Sequence, residues 1–257
     1  MRQSGVSAWI LIAACVGGCD NLRVSAGPVI DGRGRFADCP KGTRFAKQQR
    51  EQGLIEWCTR PDGTKHGRWA SYFPSGNPRL IGGYQNGRRT GTWTRFHRNG
   101  SKKSHGKFVR GTAVGTWESW HTNGKLKARG NFVDGSMHGA AWQYWQNGKL
   151  RAHGSYDQGR RHGPWTFYAR SGERAISAHY RDGERDGRWI YFHPSGRIRA
   201  AGDYRSGRRQ GAWSLYDTAG QLIHRGEYSG GMAVKRSADE HAADAAGSAG
   251  NPLELDR

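Results

Sequence analysis

The sequence predicts an all-β protein, an elongated single-layer antiparallel sheet built from tandem β-hairpins. Three observations predict it. A glycine-led motif restarts every 24 residues, at Gly67, Gly91, Gly115, Gly139, Gly163, Gly187 and Gly211, without insertion or deletion. Glycine also holds positions 10 and 21 of every unit, closing stretches such as "HTNG" and "VDG". Asn-Gly and Asp-Gly supply the positive φ that tight hairpin turns need. Between the turns lie segments of about six residues, long enough for strands and too short for ordinary helices.

Each unit therefore reads as one hairpin. In its first strand, position 3 is Trp69, Trp93, Trp117, Trp165, Trp189 or Trp213, displaced by one residue to Trp142 in the fourth repeat. Position 6 is aromatic in every copy, from Tyr72 to Tyr216. Positions three apart fall on opposite faces of a regular strand, so a bulge is expected to reunite them. In the second strand, positions 12, 14, 16 and 18 alternate with charges, as Leu126, Ala128, Gly130 and Phe132 do with Lys125, Lys127 and Arg129. That alternation predicts one apolar and one charged face. Position 16 is glycine in every repeat but the fifth, which has Ala178. Seven hairpins make roughly fourteen strands, and at about 4.8 Å per strand the array spans some 60 to 70 Å. Without a second layer, the rings are expected to stack on one another along the sheet and over the position-16 glycines.

The unit G-x-W-x-x-[YFW]…N-G-[KR]-x…G-x-[YF]-x-x-G, as in "GTWESWHTNGKLKARGNFVDG" and "GRWIYFHPSGRIRAAGDYRSG", resembles the MORN repeat (membrane occupation and recognition nexus) in its 24-residue bacterial variant. The resemblance covers residues 67–232. It implies an extended antiparallel sheet and a binding or scaffolding role, with catalysis confined to separate attached domains, so an enzyme is not expected. It also raises an antitoxin-like inhibitor of a cognate toxin, or a purely structural scaffold, as alternative functions.

The ends carry their own signals. Residues 1–18 read as a lipoprotein-type signal peptide, with Arg2, an apolar run from Val6 to Val16 and small residues before Cys19; the run is too short to span a bilayer. "VGGC" resembles a bacterial lipobox, which makes Cys19 the lipid attachment point; "IAAC", ending at Cys15, competes. Cleavage at Cys19 leaves Cys39 and Cys58 as an even pair, whereas Cys15 would strand an odd thiol in an oxidising compartment. A flexible tether is expected over 19–35 and a degenerate capping repeat over 36–66. A Cys39–Cys58 disulfide closes that cap and contributes on the order of 3 kcal/mol. Residues 233–257 lose the repeat and read as a disordered tail. The protein is thus expected to be exported and membrane-anchored in the bacterial cell envelope.

The chain has a formal net charge of +20, and residues 67–232 hold 28 Lys and Arg against 10 Asp and Glu, a difference of +18. The cations recur in phase: Arg88 and Arg89, Arg160 and Arg161, and Arg208 and Arg209 in the hairpin connections, with Lys125, Lys149 and Arg197 after the position-10 turn. These are the candidate basic binding residues. In a cytoplasm, basic rows beside aromatics suggest nucleic acid. Behind a membrane the polyanions are phospholipid headgroups and acidic glycans, so the expected partner is an envelope protein or an anionic lipid or glycan surface, and no nucleic acid. Charge that only keeps an exposed sheet soluble is the plainer alternative. Four rings outside the lattice, Phe73, Trp145, Phe167 and Tyr191, are candidate aromatic contacts. His97, His121 and His193 share position 7, but equivalent positions lie about 9 to 10 Å apart, too far to share an ion. No metal, cofactor or catalytic residue is expected.

Overall fold

The computed structural model describes residues 39–236. The expected signal peptide, Cys19, the tether and residues 237–257 lie outside the described residues.

A first hairpin, β1 (Arg44–Arg50) and β2 (Gly53–Thr59), precedes the array. The repeats supply β3 (Lys65–Tyr72), β4 (Pro78–Gln85), β5 (Arg88–Phe96), β6 (Lys102–Val109), β7 (Thr112–Trp120), β8 (Leu126–Val133), β9 (Ser136–Tyr144), β10 (Leu150–Asp157), β11 (Arg160–Tyr168) and β12 (Arg174–Arg181). They continue with β13 (Glu184–Arg185), β14 (Gly187–Phe192), β15 (Ile198–Arg205), β16 (Arg208–Tyr216) and β17 (Leu222–Ser229), and β18 (Met232–Arg236) follows. All 18 belong to one open antiparallel sheet in chain order. Strands β13 and β14 form one line beside β12, interrupted at Asp186. The boundary expected at residue 232 falls inside β18, which pairs with β17. Gly230 and Gly231, both at positive φ, turn the chain back once more and pair the open side of β17.

Position 20 and the position-21 glycine both have positive φ, from Asn86 (51°) and Gly87 (76°) to Ser206 (48°) and Gly207 (78°). Two consecutive left-handed residues make a type I′ turn, whose twist matches that of the strands it joins. The leading glycine does something else. Gly91, at φ 66°, opens a bulge in which residues 91–93 oppose the single residue Gly82. The bulge lays the Trp93 indole across Gly82, where an added Cβ would sit 2.1 Å from Trp93 Cδ2. Gly106 receives Trp117, Gly154 receives Trp165 and Gly202 receives Trp213 in the same way. Four of the six position-16 glycines are thus sockets for the next repeat's indole. Within the socket, Trp93, Trp165, Trp189 and Trp213 donate from Nε1 to the carbonyls of Gly83, Ser155, His179 and Asp203.

Positions 3 and 6 are not reunited. The hairpin ladder shifts near its closed end: Ser119 opposes Ala128, yet Trp120 opposes Leu126, leaving Lys127 over. The bulge thus lies in the second strand. Directly opposed residues share a face, so position 12 crosses with position 6 to the second face, while positions 3, 5, 14, 16 and 18 share the first. The expected apolar set of positions 12, 14, 16 and 18 loses its first member for that reason.

The first face carries the core. Rings interlock edge to face or tilted along Trp69, Tyr84, Trp93, Phe108, Trp117 and Phe132, with centroids 5.1–6.4 Å apart. A second series runs through Tyr156, Trp165, Tyr180, Trp189, Tyr204 and Trp213. Between them, Ala141 occupies position 3 and Met137 fills the socket, its Cε 2.7 Å from a Cβ built on Gly130. Trp142, one residue on, points the other way and is 38% exposed. A one-residue shift in a strand changes the face.

At the N-terminal end β2 pairs with β3, and the Cys39–Cys58 disulfide, with Cα atoms 5.6 Å apart, closes the cap. The buried Glu56 carboxylate accepts a 3.0 Å hydrogen bond from the Tyr72 hydroxyl, which satisfies a charge that would be costly to bury alone.

Candidate functional site

The paired arginines of the hairpin connections divide between the faces, because neighbouring strand residues point opposite ways. Position 23 joins the ring row: Arg89 lies 4.8 Å from the Trp93 centroid, Arg161 4.9 Å from Trp165 and Arg209 4.7 Å from Trp213. Arg161 also donates to the Tyr180 hydroxyl at 2.9 Å. Arg185, which follows Glu184 rather than a second arginine, lies 5.0 Å from Trp189 and donates to the Tyr204 hydroxyl at 3.2 Å. Cation–π contact of this kind holds the guanidinium on the ring face. In the third repeat the same position is Met137, the residue that occupies the vacated socket. Position 22 stays outside. Arg88, Arg160 and Arg208 are exposed, and no ion-pair partner is found for them among the described residues.

Lys125, Lys149 and Arg197 lie along the edge formed by the position-10 turns. Each reaches into the following repeat's turn: Lys125 Nζ donates to Asn147 O at 2.8 Å, Lys149 Nζ to Ser171 O and Arg197 Nη1 to Ala219 O at 2.7 Å. Asn99, Asn123 and Asn147 donate likewise to Thr122, Gln146 and Arg170 carbonyls. Beside them His97, His121 and His193 bond through Nε2 to the Trp120, Tyr144 and Tyr216 carbonyls. Trp145 stands at the same position and donates from Nε1 to Tyr168 O at 3.0 Å. From the first repeat to the fifth, and from the sixth to the seventh, the edge is a ladder of side chains bonded to the next turn. The signal was available, since an indole replacing imidazole in phase points to a donor facing a fixed acceptor.

The other candidate rings also serve packing. Tyr191 is 3% exposed and Phe167 stacks on Trp165 at 5.9 Å; both occupy position 5 on the indole face. Phe73 is half-buried at position 7.

The second face is different in kind. The position-6 rings Trp120, Tyr144, Tyr168, Phe192 and Tyr216 are half-exposed. Arg174 lies 4.1 Å from the Phe192 centroid and Lys102 5.9 Å from Trp120, while His153 stacks on Tyr168. Trp142 stands in this field directly opposite Arg129 on one side and His153 on the other. Acids are sparse here: Glu118 pairs with Arg129 at 3.8 Å and Asp203 with Arg188 at 3.1 Å.

One irregularity follows from the one missing socket glycine. At Ala178 the added methyl stands where Trp189 must pass, and two residues of β12 oppose four of the next line, 186–189. A shallow cavity of about 390 Å³ opens there, lined by His179, Arg181, Asp186 and Arg188 among others. Arg181 closes it with a 2.8 Å ion pair to Asp186, and His179 Nδ1 contacts the Asp186 carbonyl at 2.9 Å. Arg188, the remaining charged group of the lining, pairs with Asp203 outside it at 3.1 Å.

An open sheet of in-phase hairpins, sockets and turn ladders defines a tandem-repeat protein with two unlike surfaces. The family profile described as the MORN repeat variant matches residues 65–86, 113–134 and 137–158. Those three segments are MORN repeats of this variant type. Such repeats are generally associated with binding membrane lipid or protein and are typically not catalytic. No curated protein matches the chain. Among solved structures, similarity is found to TarM, at 10% identity over 45% of this chain and 20% of that one, with a TM-score of 0.21. A Glycosylation Associate Protein complex from Streptococcus agalactiae matches at 15% identity over 62% of this chain and 20% of that one, TM-score 0.15. A porin-like protein from Bacteroides uniformis matches at 10% identity over 75% and 93%, TM-score 0.20. The chain spans about a fifth of the length of the first two, and scores this low make none of the three a structural counterpart.

Proposed function

We propose that this protein is a non-enzymatic binding protein of the bacterial envelope, lipid-anchored through Cys19, whose basic, aromatic-rich sheet holds an anionic partner at the membrane surface. The observation that carries this reading is the uncompensated charge. A net +18 over residues 67–232 includes the exposed position-22 arginines Arg88, Arg160 and Arg208, the last two flanking Glu184 in the same row. Solubility asks for a net charge of only about 2 to 8 in a small domain. An anchor parallel to a headgroup layer would bring such a row within a Debye length, about 8 Å at physiological salt, of the lipid phosphates and acidic glycans.

Two measurements test it. Intact mass after expression in an exporting bacterium, with and without a lipoprotein signal peptidase inhibitor, is expected to give an acylated product starting at Cys19; an unprocessed chain starting at Met1 would remove the anchor and the location. Co-sedimentation with anionic vesicles and envelope fractions at physiological salt is expected to retain the protein and to weaken as salt rises. A protein left in solution by both overturns the binding reading.

A further inference from the structure

The displaced tryptophan of the fourth repeat lies outside the ring core. Every other position-3 indole of the array belongs to the first face, whereas Trp142 stands on the second with 38% of its surface exposed. The core has adapted to its loss, since Met137 fills the Gly130 socket. Around it are the position-6 rings of three successive repeats, Trp120, Tyr144 and Tyr168, all half-exposed, with Arg129 and His153 directly across the ladder from Trp142 and Lys102 over Trp120. We propose that this is a binding site for an acidic β-linked glycan strand lying across the β-strands, with Trp142 its central stacking platform.

Three features select that ligand. Successive position-6 rings are two strands apart, about 9.6 Å, which is close to the length of one β-linked disaccharide. In such a chain each sugar is turned over relative to the last, so the same apolar sugar face returns once per disaccharide and meets one ring per repeat. Aromatic faces receive that apolar face, and the cations beside them, Lys102 and Arg129, receive carboxylates, Arg129 in exchange for its exposed 3.8 Å ion pair with Glu118. A bilayer surface would use the charge, and its headgroup layer would accept an exposed indole, but it offers no fixed period for the ring row. The site rests on the envelope-surface reading above and names its ligand class.

The test uses the mature protein, hyaluronan oligosaccharides of two to twelve sugars as the acidic β-linked probe, and phosphatidylglycerol-containing vesicles as the lipid probe, at physiological salt. Affinity for the glycan is expected to rise with each added disaccharide until the ring row is spanned, with quenching of tryptophan fluorescence. Trp142→Ala is expected to weaken glycan binding roughly three- to tenfold, Trp142→Phe to restore part of it, and vesicle binding to stay unchanged in both. Glycan binding that Trp142→Ala leaves intact overturns the site. Vesicle binding without glycan binding overturns the ligand class while the envelope-surface reading stands. Failure of both probes overturns both. Because Trp142 is exposed, its truncation should leave the melting temperature within about 1 °C of the parent, and this keeps a loss of binding from being a loss of fold.

Discussion

The fourth repeat and the fifth differ at one register position, and the difference separates packing from presentation. In the fifth, Trp165 lies across Gly154 with 1% of its surface exposed, Arg161 covers it and Phe167 stacks on it. In the fourth, Ala141 takes that place, Met137 replaces the covering arginine and the indole moves one residue along to the opposite face. The same composition of ring, glycine and cation thus yields core in one unit and surface in the next. What decides is which side of the strand a residue leaves from.

The comparison can be broken most severely by truncating the two indoles. Trp165→Ala should cost about 3 to 5 kcal/mol, as a fully buried ring does, whereas Trp142→Ala should cost less than about 0.5 kcal/mol; denaturant unfolding of the two variants reads the contrast. Reducing the Cys39–Cys58 disulfide, which closes 19 residues of sequence separation, should cost on the order of 3 kcal/mol. That loss should appear as a lower melting temperature under reductant, centred on the first hairpin in hydrogen exchange. Arg161→Ala, which uncovers Trp165 and the Tyr180 hydroxyl, should cost about 1 to 2 kcal/mol. Arg160→Ala, its exposed neighbour, should be neutral for stability within about 0.5 kcal/mol and should lower the salt dependence of vesicle binding.

Much of this was legible in the sequence. The 24-residue period, the positive φ of the turn glycines at positions 10 and 21, and the pairing of small position-16 residues with rings followed from spacing alone. The displacement of Trp142 was visible too, but its consequence needed the bulge at Gly139 and the register across β8, β9 and β10. Arg160 and Arg161 look alike in a sequence because in-phase charge says nothing about faces. The placement of the second bulge, at Lys127 rather than beside Trp117, was likewise hidden, since several single-residue insertions in a hairpin fit the same periodicity. The turn-edge ladder was unreadable for Lys125 and Arg197, whose acceptors are backbone carbonyls of the following repeat.

The central claim is that position-16 glycine exists to admit an indole. It is tested most directly by the unfolding free energies of Gly154→Ala and Gly130→Ala measured side by side. A Cβ at residue 154 would lie 2.3 Å from Trp165 Cδ2, a ring atom held on both sides, whereas at residue 130 the nearest obstacle is the mobile Met137 Cε at 2.7 Å. Gly154→Ala should therefore cost about 2 to 3 kcal/mol and Gly130→Ala less than about 1 kcal/mol. Equal costs at the two sites would contradict the account.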